Sequence, residues 1–250
     1  MYTFNCPEPA DLRVELHRGL VRIIAEDTRT TRVDLTPIDG DVAAQALIYA
    51  AEVTQDGATI LVKVPPPQPG FLRGFGGKVL VTIHLPTGSR GAIRVHSASV
   101  ETQGRLGDLR VQTGSGRIRI EEAGAIEAHT GSGETRIGHA SGPCDARTGS
   151  GRVEIEAGDA ETRLTSSSGA VTVGKSGGAL KATTSSGEVK VGRTGPEADL
   201  SAASGRVTVD LAGPGRLRAR TASGEVKIGV TRGLTTWLDV RTASGAVRVA

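Results

Sequence analysis

The chain has 250 residues, 35 of them glycine, with one tryptophan, two tyrosines and three phenylalanines, so any core must be built from small aliphatic side chains between frequent turns. Thirty basic residues against 27 acidic ones give a net charge of +3, a mixed surface without the one-signed basic face and interleaved aromatics of a nucleic-acid binder. No stretch approaches the roughly 20 apolar residues that span a bilayer. Met1–Arg13 has neither the basic start nor the apolar run of a signal peptide, so a cytoplasmic location is expected.

In chain order, Leu12, Val14 and Leu16 alternate before Gly19, and Val21 and Ile23 alternate after it, which predicts a strand, a glycine corner and a second strand. Asp41–Ala51 is alanine-rich without glycine or proline and predicts one short helix over 41–51, capped by Asp39 or Asp41. Ala58–Val64 and Lys78–Leu85 read as strands. Between them Pro65–Gly77 is too rich in proline and glycine to be a strand. That loop carries Phe71 and Phe75 beside Leu72 and Arg73, and these four residues are the candidate partner contact. The alternative is that both rings fold back over the N-terminal end of the core. Residues 1–92 are expected to form a β-rich N-terminal cap, continuous with a regular solenoid over 93–250 in a single domain.

From about Ser97 a Ser-Gly pair recurs, with glycines at Gly116, Gly133, Gly151, Gly169, Gly187, Gly205, Gly224 and Gly245, most of them 18 residues apart. Alternation precedes each glycine, as in Leu180, Ala182, Thr184 and Ser186, and resumes after it, as in Val189 and Val191. One such unit cannot bury its own inward side chains, but stacked copies can. The expected fold is therefore all-β, a parallel β-solenoid (β-helix) of about eighteen-residue rungs with structural corner glycines. Strict alternation places the Thr-x-Ser hydroxyls on the inward side with the Leu and Val columns, as internal ladders rather than an exposed ice-binding array. Outward positions form columns of mixed charge, such as Arg110, Glu127, Asp145 and Arg163, which read as solvated salt-bridge ladders.

Glu127 and Asp145 would stand about 5 Å apart, a spacing that suits a retaining glycosidase. Arg110 and Arg163 bracket them, however, and no aromatic platform for sugar accompanies them, so no catalytic residue is assigned. Cys6 and Cys144 form no metal-ligand pair, and Cys144 shares the inward column of Leu109 and Ile126 as a small hydrophobe. The five histidines are scattered, and the glycine-rich stretches join strand to strand with no helix N-terminus to hold a phosphate. No cofactor or metal is expected.

The β-rich start, the Leu-Pro-Thr-Gly-Ser segment at Leu85–Ser89 and the Thr-x-Ser-Gly-x-Val-x-Val rungs resemble the bacterial β-strand-repeat family known as putative adhesins, a domain of unknown function of actinobacterial type. The resemblance covers nearly the whole chain and is strongest over Arg110–Ala250. It implies fold and an interaction role, and carries no catalytic residues. A looser similarity is to bactofilins, cytoplasmic β-solenoids that polymerise end to end. The last strand, Ala246–Val249, has nothing after it to cover its edge, and only the excursion Thr231–Trp237 could fold over that end. The leading expectation is a non-enzymatic β-solenoid interaction or scaffold protein with a protein partner or a homo-oligomer through the C-terminal rung. The alternatives are a self-assembling bactofilin-like cytoskeletal element and a carbohydrate-active β-helix enzyme.

Overall fold

Alternation interrupted by glycine at a fixed interval produces the predicted architecture: a computed structural model, describing residues 1–38, 42–66, 77–230 and 233–250, shows an all-β parallel β-solenoid with turns of about eighteen residues. The described residues divide into two compact units, Met1–Gly124 with Ala128–Thr130, and Ala125–Glu127 with Gly131–Ala250. The first unit contains β1 (Tyr2–Asn5), β2 (Asp11–Glu26), β3 (Thr30–Pro37), α1 (Val42–Tyr49), β4 (Glu52–Asp56), β5 (Thr59–Lys63), β6 (Val79–Pro86), β7 (Arg90–Arg105), β8 (Leu109–Ser115) and β9 (Ile118–Ala123). The division falls within β10 (Ile126–Ser132). The second unit holds β11 (Thr135–Ala140), β12 (Cys144–Ser150), β13 (Val153–Gly158), β14 (Thr162–Ser168), β15 (Val171–Ser176), β16 (Leu180–Ser186), β17 (Val189–Arg193), β18 (Glu197–Ser204), β19 (Val207–Ala212), β20 (Gly215–Ser223), β21 (Val226–Val230), β22 (Thr236–Ser244) and β23 (Val247–Val249).

In the first unit the long strand β2 passes through Gly19, and its two halves enter two ladders. Asp11 is paired with Thr59 of β5 on one side and Arg90 of β7 on the other, and Leu20 with Leu80 of β6 and Ser99 of β7, all in parallel. The strand, glycine corner and second strand predicted at Leu12–Ile23 are therefore present, but they do not form the outermost turn. The turn made by β5 and β6 lies on one side of β2 although it follows β2 in sequence. Beyond that turn the ladders reverse: β4 is antiparallel to β5, β3 to β6, and β1 to β3. Helix α1 packs through the buried Ala44 against Gly77, where an added Cβ would come within 2.2 Å of the Ala44 nitrogen.

In the second unit the rungs stack in register. One ladder aligns Cys144, Thr162, Leu180, Ala198, Leu217 and Leu238, and the other aligns Thr135, Val153, Val171, Val189, Val207, Val226 and Val247. Size alternates through the middle of the first ladder. Leu180 and Ala182 are followed by Ala198 and Leu200, then by Leu217 and Ala219, so each of these three turns contributes one large and one small side chain at these two positions. That alternation fills a narrow core at nearly constant volume, with β-branched valines supplied by the other strand of each turn.

The corners explain the glycine period. Gly205 has φ +147°, and a Cβ built on it would lie 1.8 Å from the carbonyl oxygen of Gly187. Both the backbone conformation and the close approach of the preceding corner exclude any side chain. Three residues before several of these glycines a hydroxyl donates to that preceding corner, as Thr184 does to the Gly169 carbonyl at 3.0 Å and Thr221 to Gly205 at 3.0 Å, whereas Ala202 takes the equivalent place before Gly205. The serine immediately before each glycine behaves differently from the expected internal ladder. Ser132, Ser150, Ser168, Ser186, Ser204 and Ser223 are all exposed, because the chain has already begun to turn two residues before the glycine and strict alternation no longer applies.

Candidate functional site

Of the places singled out by the sequence, the Phe71, Leu72, Arg73 and Phe75 segment lies outside the described residues. The Glu127–Asp145 column is described and is saturated. Arg147, two residues along β12, donates Nε and a terminal nitrogen to the two Asp145 oxygens at 2.9 and 2.6 Å. Arg163, expected to bracket the column, turns instead along its own strand to Glu161 at 3.0 Å. Hydrogen bonding to Asp145, with the charges of Asp145 and Glu127, holds the Arg147 guanidinium more firmly protonated than usual. Both carboxylate oxygens of Asp145 are therefore engaged in a salt bridge. Elsewhere the outward columns do pair across strands, as Arg136 with Glu154 at 3.1 Å and Arg206 with Glu225 at 3.4 Å. Long guanidinium side chains reach either the residue two positions back or the adjacent strand, which is why the column pattern alone does not decide the partner.

Cys144 is buried as predicted, and burial, then the neighbouring Asp145 charge, pushes its thiol up to about 12. His17 and His96 stack across β2 and β7 with ring centroids 4.8 Å apart and planes 6° apart. Burial, followed by the charges of His96 and Arg18, pushes the His17 imidazole below its ordinary value. Among the described residues no group of three or more His, Cys, Asp and Glu stands together to hold a metal, and no helix is long and apolar enough to cross a membrane.

The remaining distinctive surface is the last turn. In β20 and β22, Arg216 lies beside Trp237, Arg218 beside Asp239 and Arg220 beside Arg241. Trp237 does not fold over the end: it sits in the outward row of β22, 51% exposed, with the Arg216 guanidinium 4.8 Å from its ring centroid. Three arginines converge on the one carboxylate between them, Arg241 at 2.9 Å, Arg218 at 3.3 Å and Arg220 at 3.6 Å from Asp239. Burial raises the Asp239 carboxyl, but Arg241, Arg218 and Arg220 outweigh it and leave the group below its ordinary value. Sequence reasoning missed this cluster, although its signal is present. Residues 215–250 contain seven basic residues and two acidic ones, in a chain whose whole net charge is +3.

On the inward side of the same turn Leu238 and Val240 are half-buried, and Val247 and Val249 are 46% and 52% exposed. One turn earlier Leu217, Ala219, Val226 and Ile228 are exposed by 1% or less. Among the described residues, the outer edges of β22 and β23 pair with no strand.

The family model for Toastrack DUF4097 matches residues 51–237. Among solved structures, the chain is similar to a putative lipid binding protein from Parabacteroides distasonis, with 14% identity, coverage of 100% of this chain and 96% of that one, and a TM-score of 0.49. It is also similar to a putative adhesin from Parabacteroides merdae, with 10% identity, coverage of 100% and 95%, and a TM-score of 0.48. A putative adhesin from Bacteroides fragilis covers the same shares at 11% identity and a TM-score of 0.40. No curated protein sequence matches the chain.

Proposed function

The chain belongs to the Toastrack DUF4097 family, and from that premise we propose that it is a non-enzymatic, adhesin-like β-solenoid whose role is carried by its surface, as an interaction scaffold. The observation that carries this reading is the turn of β22 and β23, whose outer edges pair with no strand among the described residues and whose Leu238, Val240, Val247 and Val249 are half-buried or exposed there. Such an edge is a template for another strand and its apolar row a contact for a partner. The occupied oxygens of Asp145 favour the scaffold over the carbohydrate-active alternative, since neither oxygen is free to protonate a leaving group or attack a sugar. A cytoplasmic site of action belongs to the same proposal and is checked by cell fractionation.

The test is light scattering coupled to size-exclusion chromatography over a wide concentration range, alone and with captured partners. The proposal expects a complex that is lost in the Val247→Lys, Val249→Lys double variant while the monomer stays folded. A mass that grows with concentration would assign the edge to end-to-end self-assembly of the bactofilin kind. Turnover on a glycan panel, abolished by Glu127→Gln or Asp145→Asn, would overturn the scaffold in favour of an enzyme.

A further inference from the structure

We infer that the outward rim of the last turn, formed by Arg216, Arg220, Trp237 and Arg241, docks on the anionic headgroups of a lipid bilayer surface; this rests on the scaffold reading and names one partner for it. Charge is the first argument. Arg220 and Arg241 are directly opposite neighbours on adjacent strands, an arrangement of like charges that disfavours the sheet. The single carboxylate beside them, Asp239, is already shared by three guanidinium groups and is only 12% exposed. Arg216 stacks on the Trp237 ring on one side and has Glu197 as its register partner on the other. The rim thus presents guanidinium donors in excess of the acids on it, with the Arg241 side chain 71% exposed, and each is suited to a phosphate oxygen.

The apolar neighbours decide which anion. Trp237, 51% exposed, lies in the same outward row of β22 as Arg241, and Leu234, 40% exposed, precedes it in the chain. A soluble polyanion would cover the arginines and leave these side chains in water. A bilayer interface accepts both, because Trp settles at headgroup level with its ring towards the acyl region while Arg reaches the phosphates. A second copy of the same surface would bring the two arginine clusters together, which their like charge opposes.

The single tryptophan of the chain lies in the surface itself, so the full-length protein reports its own binding. The inference expects a blue shift of Trp237 emission, with co-sedimentation, on vesicles of phosphatidylcholine mixed with phosphatidylglycerol. It expects no response to phosphatidylcholine alone, and reversal by salt, since the attraction fades beyond about 8 Å at physiological ionic strength. The triple variant Arg216→Gln, Arg220→Gln, Arg241→Gln should bind about 100-fold more weakly, at about 1 kcal/mol for each basic residue near an anionic surface. Asp239 keeps Arg218 in that variant, and an unchanged melting curve confirms its fold. The matching Arg→Lys triple should retain binding, because the membrane reads charge.

Equal binding to neutral vesicles, no response to any vesicle, or binding of DNA or heparin without vesicle binding would overturn the inference. So would a blue shift that grows with protein concentration in lipid-free buffer, which would place a second copy on the patch. Turnover of a glycan with vesicle binding intact would sink the scaffold reading alone, whereas a partner complex that persists without vesicle binding would sink the inference alone.

Discussion

A methyl group is enough to break a corner. At Gly205 it would be driven into the Gly187 carbonyl in a backbone conformation that only glycine adopts readily, so Gly205→Ala should cost about 3 kcal/mol or more in urea unfolding. Gly57, at φ +58° with nothing within 4 Å of the added carbon, offers the control: Gly57→Ala should cost only about 1–2 kcal/mol, the left-handed penalty without a clash. Cys144 shows the same burial through a titration. Its thiol is raised from 9.0 to about 12, so between those values the unfolded chain has lost the proton that the folded chain keeps. Stability must therefore fall as pH rises through that window, by about 1.4 kcal/mol per unit, and be unaffected by this group below 9.0. Comparing wild type with Cys144→Ala by urea denaturation across pH 8 to about 12 isolates the effect. A difference between the two that stays flat with pH would show that the thiol is not held in the core.

At the level of elements, what the sequence makes legible is whatever repeats. The glycine period, the Leu180/Ala182 and Val189/Val191 rows and the helix near 41–51 are local patterns, and each maps onto the strand or helix it predicts. Position in the stack is a different matter. Nothing in Thr59–Lys63 or Val79–Pro86 says that these strands lie on the far side of β2, because the choice between two neighbours for β2 is set by long-range pairing and leaves no periodic trace. The reversed strands β1, β3 and β4 show ordinary alternation whose partner is likewise unspecified. The serines were misplaced for a local reason, the turn that breaks alternation before the glycine. The candidate site was hidden because Arg216, Arg218 and Arg220 look like any other outward row until Trp237, Asp239 and Arg241 are aligned beside them.

Across the whole molecule, the two ladder terminations differ in kind, and truncation should expose the difference. Near the N-terminus the parallel strands end in antiparallel ones, β4 over β5 and β1 with β3 over β6, a change of direction that halts further parallel stacking. At β22 and β23 the described ladders stop on ordinary parallel strands. A solenoid is stabilised by its rungs and their nearest-neighbour contacts, so removing the last rung only moves an open edge back by one. A chain cut after Val230 should remain folded with a lower melting temperature, its new edge formed by β20 and β21. A chain starting at Arg90 loses the reversed strands and β2 together. It then presents the whole of β7, with the buried Ile93, Val95 and Val100, as a long open edge. Such an edge is an aggregation template, and that chain should run in the void volume on size exclusion. If it were instead monomeric and as soluble as the chain cut after Val230, the antiparallel strands would not be what protects this end, and the two terminations would be equivalent.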